Sequence, residues 1–266
     1  MTFEWDAGEY EVLAAPMTGW GAGLLDLALG RWPLAGDEAA MDAGCGTGRV
    51  TELLLERLPR GTVFAVDASG EMVEAAGRRF AGDGRVRVER HDLLQLDVEE
   101  RFDLVLSTAT FHWIPSHDKL FRNLSRALKP AGRLVAQCGG AGNIARVRAA
   151  AEQVMHEERF HPRFVGWEGP WNFAGPGETE ERLEAAGFEG VEVWLHEEPT
   201  PFGTEEELVR YLKTVVLGQH LQRLPREEHE PFVAAVAERM AAYGSLVVDY
   251  VRLNILARKP DRKPAV

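Results

Sequence analysis

Asp42-Ala43-Gly44-Cys45-Gly46-Thr47-Gly48 separates an apolar segment from a helix-period one, and this junction constrains the fold more than any other feature of the chain. Ahead of it, Ala39-Ala40-Met41 reads as a short buried strand. Behind it, Arg49 to Leu58 places Val50, Leu53, Leu54 and Leu58 on one side at helical spacing, until Pro59 and Gly61 end the run. Glycines at a strand-to-helix turn let the chain reverse sharply and let a ligand approach the backbone with no Cβ in the way.

The same alternation continues. Thr62 to Val66 is a strand, and Ser69 caps a helix from Glu71 to about Arg79. Val86-Arg87-Val88 and the apolar Phe102 to Ser107 are further strands. Asp118 to Leu128 is an amphipathic helix stopped by Pro130 and Gly132, and Leu134-Val135-Ala136 is the next strand. Strands alternating with helices in this way predict an α/β fold, a mostly parallel sheet with helices on both faces. Beyond residue 141 the pattern changes: a helix, then an irregular stretch rich in Gly, Pro and Trp up to 175. A helix over Thr179 to Ala186 and a strand over Val191 to Leu195 follow. Thr204 and Glu207 form a capping box that opens a helix over 204–217, a second helix covers 226–243, and a last strand runs from Val247 to Ala257. That helical pair, interposed between the last two strands, is placed to roof the ligand edge of the sheet.

The glycine spacing discriminates between ligands. A dinucleotide turn needs G-x-G-x-x-G, and a phosphate loop needs a Lys-Ser or Lys-Thr pair after its glycines. Here the order is G-x-G-x-G followed by Arg49, and Asp67 stands at the end of the second strand, about 20 residues on, where a carboxylate accepts ribose hydroxyls. A ligand with a ribose and an amino-acid tail but no phosphates fits this better than NAD or ATP.

Four motifs in order then carry a family resemblance. They are Met41 to Gly48; Val63-Phe64-Ala65-Val66-Asp67-Ala68-Ser69 with Met72; His91-Asp92-Leu93; and Phe102 to Ser107 followed by Leu128-Lys129-Pro130-Ala131-Gly132-Arg133-Leu134. The chain resembles the class I methyltransferases that use S-adenosylmethionine (SAM). Phe111-His112-Trp113-Ile114-Pro115, Val193-Trp194 and Val251 to Arg258 are similar to the trans-aconitate methyltransferase branch.

The resemblance implies a single Rossmann-like domain over 1–266. Residues 36–138 would be its SAM-binding core, with the N-terminal segment 1–35 and helical insertions in 141–245 covering the acceptor site. It implies cofactor contacts from Asp42, Gly44, Gly46, Asp67, Ala68, Met72, Asp92, Leu93 and Ser107 or Thr108. Gly44 and Gly46 would pass beneath the methionine part and Asp67 would hold the ribose. Ala68, Met72 and Leu93 would flank the adenine, with Asp92 facing its amino group. The Pro-Gly-Gly turn usual in the family reads Pro130-Ala131-Gly132 here.

Methyl transfer from a sulfonium needs alignment and exclusion of water more than acid–base help. A carboxylate acceptor needs no base; a phenol, alcohol or ammonium does, and His112, just past the fourth strand, is the candidate by position. The alternative is that His112 only packs in its loop. Trp113 is a candidate pocket wall, as are the N-terminal aromatics Trp5 and Tyr10, beside Asp6, since aromatic faces stabilise a sulfonium. Tyr10 equally fits burial against helices, and Trp20 is expected to pack against the sheet's outer helices. Arg163, Arg210, Arg223 and Arg252 would bind an acidic acceptor if they faced the pocket, and the sequence does not choose among them.

Charge narrows the partners. The net charge is −12 with both signs interspersed, which argues against nucleic acid. No run approaches the roughly 20 apolar residues of a membrane helix, and no signal peptide or metal-ligand spacing is present. The expectation is therefore a cytoplasmic enzyme with a small-molecule acceptor, no metal, and S-adenosylhomocysteine as product. A carboxyl or other oxygen acceptor is the first expectation. Transfer to nitrogen or carbon, or a SAM-binding protein without turnover, are the rivals, with an NAD-dependent dehydrogenase third.

Overall fold

The computed structural model describes residues 7–13, 15–242 and 246–261. Seven strands make one sheet in the order β3-β2-β1-β4-β5-β9-β6. They are β1 (Ala39–Ala43), β2 (Thr62–Asp67), β3 (Val86–Arg90), β4 (Phe102–Thr108), β5 (Leu128–Gly139), β6 (Glu189–Glu197) and β9 (Val251–Arg258). Pairings among β1 to β5 are parallel, and β9 runs antiparallel to both β5 and β6. The short β7 (Thr200–Pro201) and β8 (Val247–Val248) pair separately.

Strand alternation divides the core. Ala40, Leu104 and Leu106 turn to one face, where Leu24, Leu25 and Ala28 of α2 (Ala15–Arg31) and Leu54 of α3 (Arg49–Arg57) meet them. Met41, Ala43 and Val105 turn to the other, against Leu120, Phe121 and Leu124 of α5 (His117–Ala127) and Leu183 of α7 (Pro176–Ala185). Both faces are thus covered, as the sequence pattern predicts. The expected cap of α4 (Gly70–Arg79) is present, with the Ser69 hydroxyl accepting from Met72 N at 3.4 Å.

A third apolar cluster lies off the sheet. It joins α6 (Ala145–Met155), α8 (Glu205–Tyr211), α9 (Gly218–Leu221) and α10 (His229–Ala242) around Phe160, Phe164, Tyr211 and Phe232. Two boundaries differ from the sequence reading. The helix expected over 204–217 ends at Tyr211 and widens into a π-helical turn, Leu212–Val216, closed by Leu217 N donating to Leu212 O at 2.8 Å. Thr204 caps the start of this helix as expected, its hydroxyl accepting from Glu207 N at 3.2 Å, while the Glu207 carboxylate reaches one residue further back and accepts from Gly203 N at 2.9 Å. The strand expected over 247–257 is broken at Asp249, whose carboxylate accepts from Arg146 N in the first turn of α6, at 3.1 and 3.3 Å. No helix among the described residues is long and apolar enough to cross a membrane.

Candidate active site

The strand order reverses between β1 and β4: from β1 the chain winds outward to β3, then crosses back to β4 on the other side. In an open parallel sheet the crevice beyond such a switch point is where ligands bind. The glycine turn leaves β1 there, and the segment Ala109 to Trp113 leaves β4 beside it.

Gly44 and Gly46 adopt left-handed backbone, with φ of 88° and 54°. A Cβ on Gly44 would lie 2.0 Å from Thr110 Oγ1, so the turn requires glycine for space as well as conformation. Gly44 N and Cys45 N both donate to Val66 O, at 2.8 and 2.9 Å, which ties the turn to β2. Asp67, at the end of β2, accepts from Gly46 N at Oδ2 (3.0 Å) and from Ser69 N at Oδ1 (2.9 Å).

These residues open on a cavity of about 560 Å³, whose lining includes Gly44, Gly46, Asp67, Ala68, Met72, Asp92 and Leu93. Asp42 and Ser107 stand one layer below, outside the lining. The buried Ser107 hydroxyl donates to Ala43 O at 2.6 Å and so ties β4 to β1. Asp42 is fully buried and accepts from the Thr51 hydroxyl at 2.5 Å, while its Oδ1 has no partner. Burial, opposed by the Thr51 hydrogen bond and reinforced by the Asp67 charge, pushes its carboxyl up to about 7. Thr108 and Thr110 supply the lining on the β4 side, and Gln219 and Gln222 reach the cavity from the helical cluster.

The N-terminal helix α1 (Ala7–Leu13) is fastened across the start of α3. Glu11 accepts from the Thr47 hydroxyl, from Arg79, and from Arg49 Nε at 2.9 Å. Its carboxyl is held below the usual range: burial raises it, and the Thr47, Arg49 and Arg79 contacts together outweigh that. Trp5, Asp6 and the side chain of Tyr10 lie outside the described residues.

A second, smaller chamber of about 40 Å³ meets the first at Ala109 and Trp113. His112, Asn143, Phe173, Tyr250 and Arg252 line it. Of the four candidate arginines, Arg163, Arg210 and Arg223 are exposed, whereas Arg252 is only 2% exposed. Its guanidinium lies 5.0 Å from the Trp20 ring centroid and 5.8 Å from that of Tyr250. Trp20 therefore packs against this chamber's wall instead of the outer helices. The His112 ring sits 4.9 Å from Trp113 and 5.8 Å from Phe173, and its Nδ1 accepts from Gly139 N at 3.1 Å. Burial first, then the charges of Arg252 and His117, hold His112 well below its ordinary pKa.

Sequence reading passed over Asn143, Tyr250, Gln219 and Gln222, and left Arg252 unresolved. One signal points to Arg252. A strand that runs antiparallel to the rest begins where the others end, and Arg252, the second residue of β9, lies directly across from Gly139, the last residue of β5. Among the described residues, no group of three or more His, Cys, Asp or Glu is placed to hold a metal ion.

Comparison with known proteins agrees with this layout. The family model described as a methyltransferase domain matches residues 40–132. A trans-aconitate 2-methyltransferase of Sinorhizobium fredii is 32% identical over 228 residues, covering 83% of this chain and 86% of that protein. A malonyl-[acyl-carrier protein] O-methyltransferase of Priestia megaterium is 33% identical over 180 residues, covering 66% of this chain and 62% of that one. In three dimensions, a Haemonchus contortus phosphoethanolamine N-methyltransferase 2 holding S-adenosylhomocysteine superposes with a TM-score of 0.61 at 21% identity. That match covers 96% of this chain and 57% of the other. The chain is a class I SAM-dependent methyltransferase, an enzyme with SAM as its methyl donor. Within that class it belongs to the trans-aconitate methyltransferase-like branch.

Proposed function

We propose that this methyltransferase esterifies a carboxylate of a small organic acid. The observation that carries this reading is Arg252, a guanidinium buried in an aromatic-walled chamber that adjoins the donor cavity. A buried cation of this kind recognises an anion strongly, because little water competes with it. The acceptors named for the two relatives, trans-aconitate and malonyl-[acyl-carrier protein], both carry carboxylates.

The larger cavity fits SAM. Its volume of about 560 Å³ lies in the range of small-molecule sites, and its lining includes a turn in which Gly44 leaves no room for a Cβ beside Thr110. Gly44 and Gly46 would support the methionine part, Asp67 the ribose, and Ala68, Met72, Asp92 and Leu93 the adenine. Thr108 and Thr110 would replace Ser107 at the β4 side. SAM supplies a sulfonium methyl: a carboxylate oxygen forms the new O–C bond as the S–C bond breaks, giving a methyl ester and S-adenosylhomocysteine with no proton to remove. The protein's part is to align the acid with the donor and to exclude water. In the same reading the chain is one domain, with 36–138 holding the donor and 1–35 and 141–245 covering the acceptor, at work in the cytoplasm.

The test is a panel of small mono-, di- and tricarboxylic acids incubated with enzyme and SAM. Products are followed by mass spectrometry and by release of the methyl group in mild alkali, which cleaves esters but not N- or C-methyl groups. An alkali-labile product supports the reading. Alkali-stable products, or none from any acid while S-adenosylhomocysteine still binds, would sink it.

A further inference from the structure

Three of the polar side chains that line the smaller chamber, His112, Asn143 and Arg252, share a property that bears on both its ligand and the role of His112. A neutral imidazole has one acceptor nitrogen and one N–H. In His112 the acceptor is Nδ1, because it receives the Gly139 N–H at 3.1 Å. Gly139 is held at the end of β5, and a Cβ there would lie 2.6 Å from Asn143 Nδ2 and 2.7 Å from Phe173, so the strand end comes this close because the residue is glycine. The proton of a neutral His112 is then on Nε2. The ring stays neutral because it is buried with Arg252 of β9 and His117 of α5 as its neighbouring charges, and beside the Cys138 thiol of β5, which burial pushes up to about 12.

Asn143 is constrained in the same sense. Its Oδ1 accepts from Val251 N at 2.9 Å, so its Nδ2 group, with two protons, is what it offers a ligand. Asn143 and Arg252 are each 2% exposed and His112 7%, so all three are set by the protein and little affected by bulk water. Arg252 has donors only.

We infer that the chamber is a carboxylate subsite in which three side chains present donors, the His112 Nε2–H, the Asn143 Nδ2–H₂ and the Arg252 guanidinium, and that His112 holds the acceptor and does not take a proton from it. The inference rests on the esterification reading. A site of donors suits a ligand group that only accepts, as an ionised carboxylate does, and mismatches an amine, a phenol or an amide. The chamber, about 40 Å³ in volume, has room for little more than that group.

Two experiments test this apart from turnover. The first is ¹⁵N NMR of the imidazoles in the S-adenosylhomocysteine-loaded enzyme, with the His112 signal assigned by its loss in His112→Gln. The expected result is a proton on Nε2, none on Nδ1, and no titration between pH 5.5 and 8. A proton on Nδ1, or a ring titrating near pH 6.5, overturns the inference even if esters are made. The second adds excess acetate, then acetamide, to the same complex. Acetate is expected to move the His112 Nε2–H and Asn143 side-chain amide resonances, and acetamide to leave them in place. No response to acetate overturns the subsite. If acetate binds as expected while the acid panel gives no ester, the esterification reading alone has failed.

Kinetics on an acid that is methylated supplies a third readout. Losing a hydrogen bond to a charged group raises KM by about 10- to 100-fold. That increase is expected for Asn143→Asp and His112→Phe, with S-adenosylhomocysteine affinity unchanged. His112→Gln, which keeps an N–H near the Nε2 position, is expected to recover most of the loss. A base would not be rescued by Gln, and log kcat would fall below a pKa near 6.5; either result overturns the inference.

Discussion

The two cavities that meet at Ala109 and Trp113 are built from different materials. The proposed donor cavity rests on backbone: left-handed glycine turns, amides fixed on Val66 O, and one carboxylate, Asp67, oriented by two further amides. All of this comes from consecutive strand ends between residues 41 and 93. The proposed acceptor chamber rests on side chains delivered by segments far apart in the chain: His112 after β4, Asn143 after β5, Phe173 before α7, Val215 and Val216 from the π-helical turn, and Arg252 in β9. A backbone-built site can be altered at few positions without losing the turn. A side-chain-built one changes with any of its contributors, so one scaffold can keep its donor and vary its acceptor.

The comparison is tested hardest at Gly44. Alanine there must hold φ near 88° and place its Cβ 2.0 Å from Thr110 Oγ1, in a turn fixed on both sides. Gly44→Ala should leave the fold formed and SAM binding undetectable by calorimetry, which corresponds to a loss of about 1,000-fold or more. Binding within tenfold of wild type would mean that the backbone does not set the donor site.

The opposite experiment is Arg252→Met, which keeps much of the side chain's volume and removes its charge. SAM affinity should change little, whereas kcat/KM for the acid should fall about 100-fold or more, since an anion left opposite a lost buried cation costs several kcal/mol. Arg252→Lys should recover only part, because Lys lacks the planar fork. Equal loss of SAM binding in Arg252→Met would show that the two cavities are one unit.

This difference in construction also explains how much was legible beforehand. The glycine turn, Asp67, the Ser69 cap and the strand alternation are local signals, each readable within a window of about ten residues. The sheet follows from them, as does the candidate donor site from Gly44 to Leu93. Asn143, Tyr250 and Arg252 carry no local signal of this kind. They become neighbours because β9 inserts antiparallel between β5 and β6, and pairing of Gly139 with Arg252 is a property of topology. The π-helical turn at Leu212–Val216 was equally hidden, since apolar spacing does not distinguish one extra residue per turn. Asp249 shows the same limit, because its break in the last strand answers α6, a helix about a hundred residues earlier.

The smallest expected effects are on stability, and they carry opposite pH signs in the two regions. His220 belongs to the helical cluster, among Trp167, Trp171 and Phe164, with Nδ1 lacking a partner; burial lowers it to about 3. Between pH 3 and 6.5 the unfolded chain binds the extra proton, so this contribution is complete above 6.5 and is lost as pH falls. Asp42 lies under the donor cavity, and its carboxyl is raised from 3.8 to about 7. There the folded chain binds the extra proton, so stability is greatest below 3.8 and is lost as pH rises through 7. Each effect is on the order of a few kcal/mol at its limit. Urea titrations across pH 4 to 8 should therefore show His220→Leu removing a rise in stability between pH 4 and 6.5, and Asp42→Asn removing a fall between pH 4 and 7. The Asp42→Asn result is the more informative, because Asn still accepts from Thr51 and changes little besides the proton. If Asp42→Asn left the neutral limb as steep as in wild type, Asp42 would be ionised throughout, and the donor floor would hold a buried charge beside Asp67 with only the Thr51 hydroxyl to answer it.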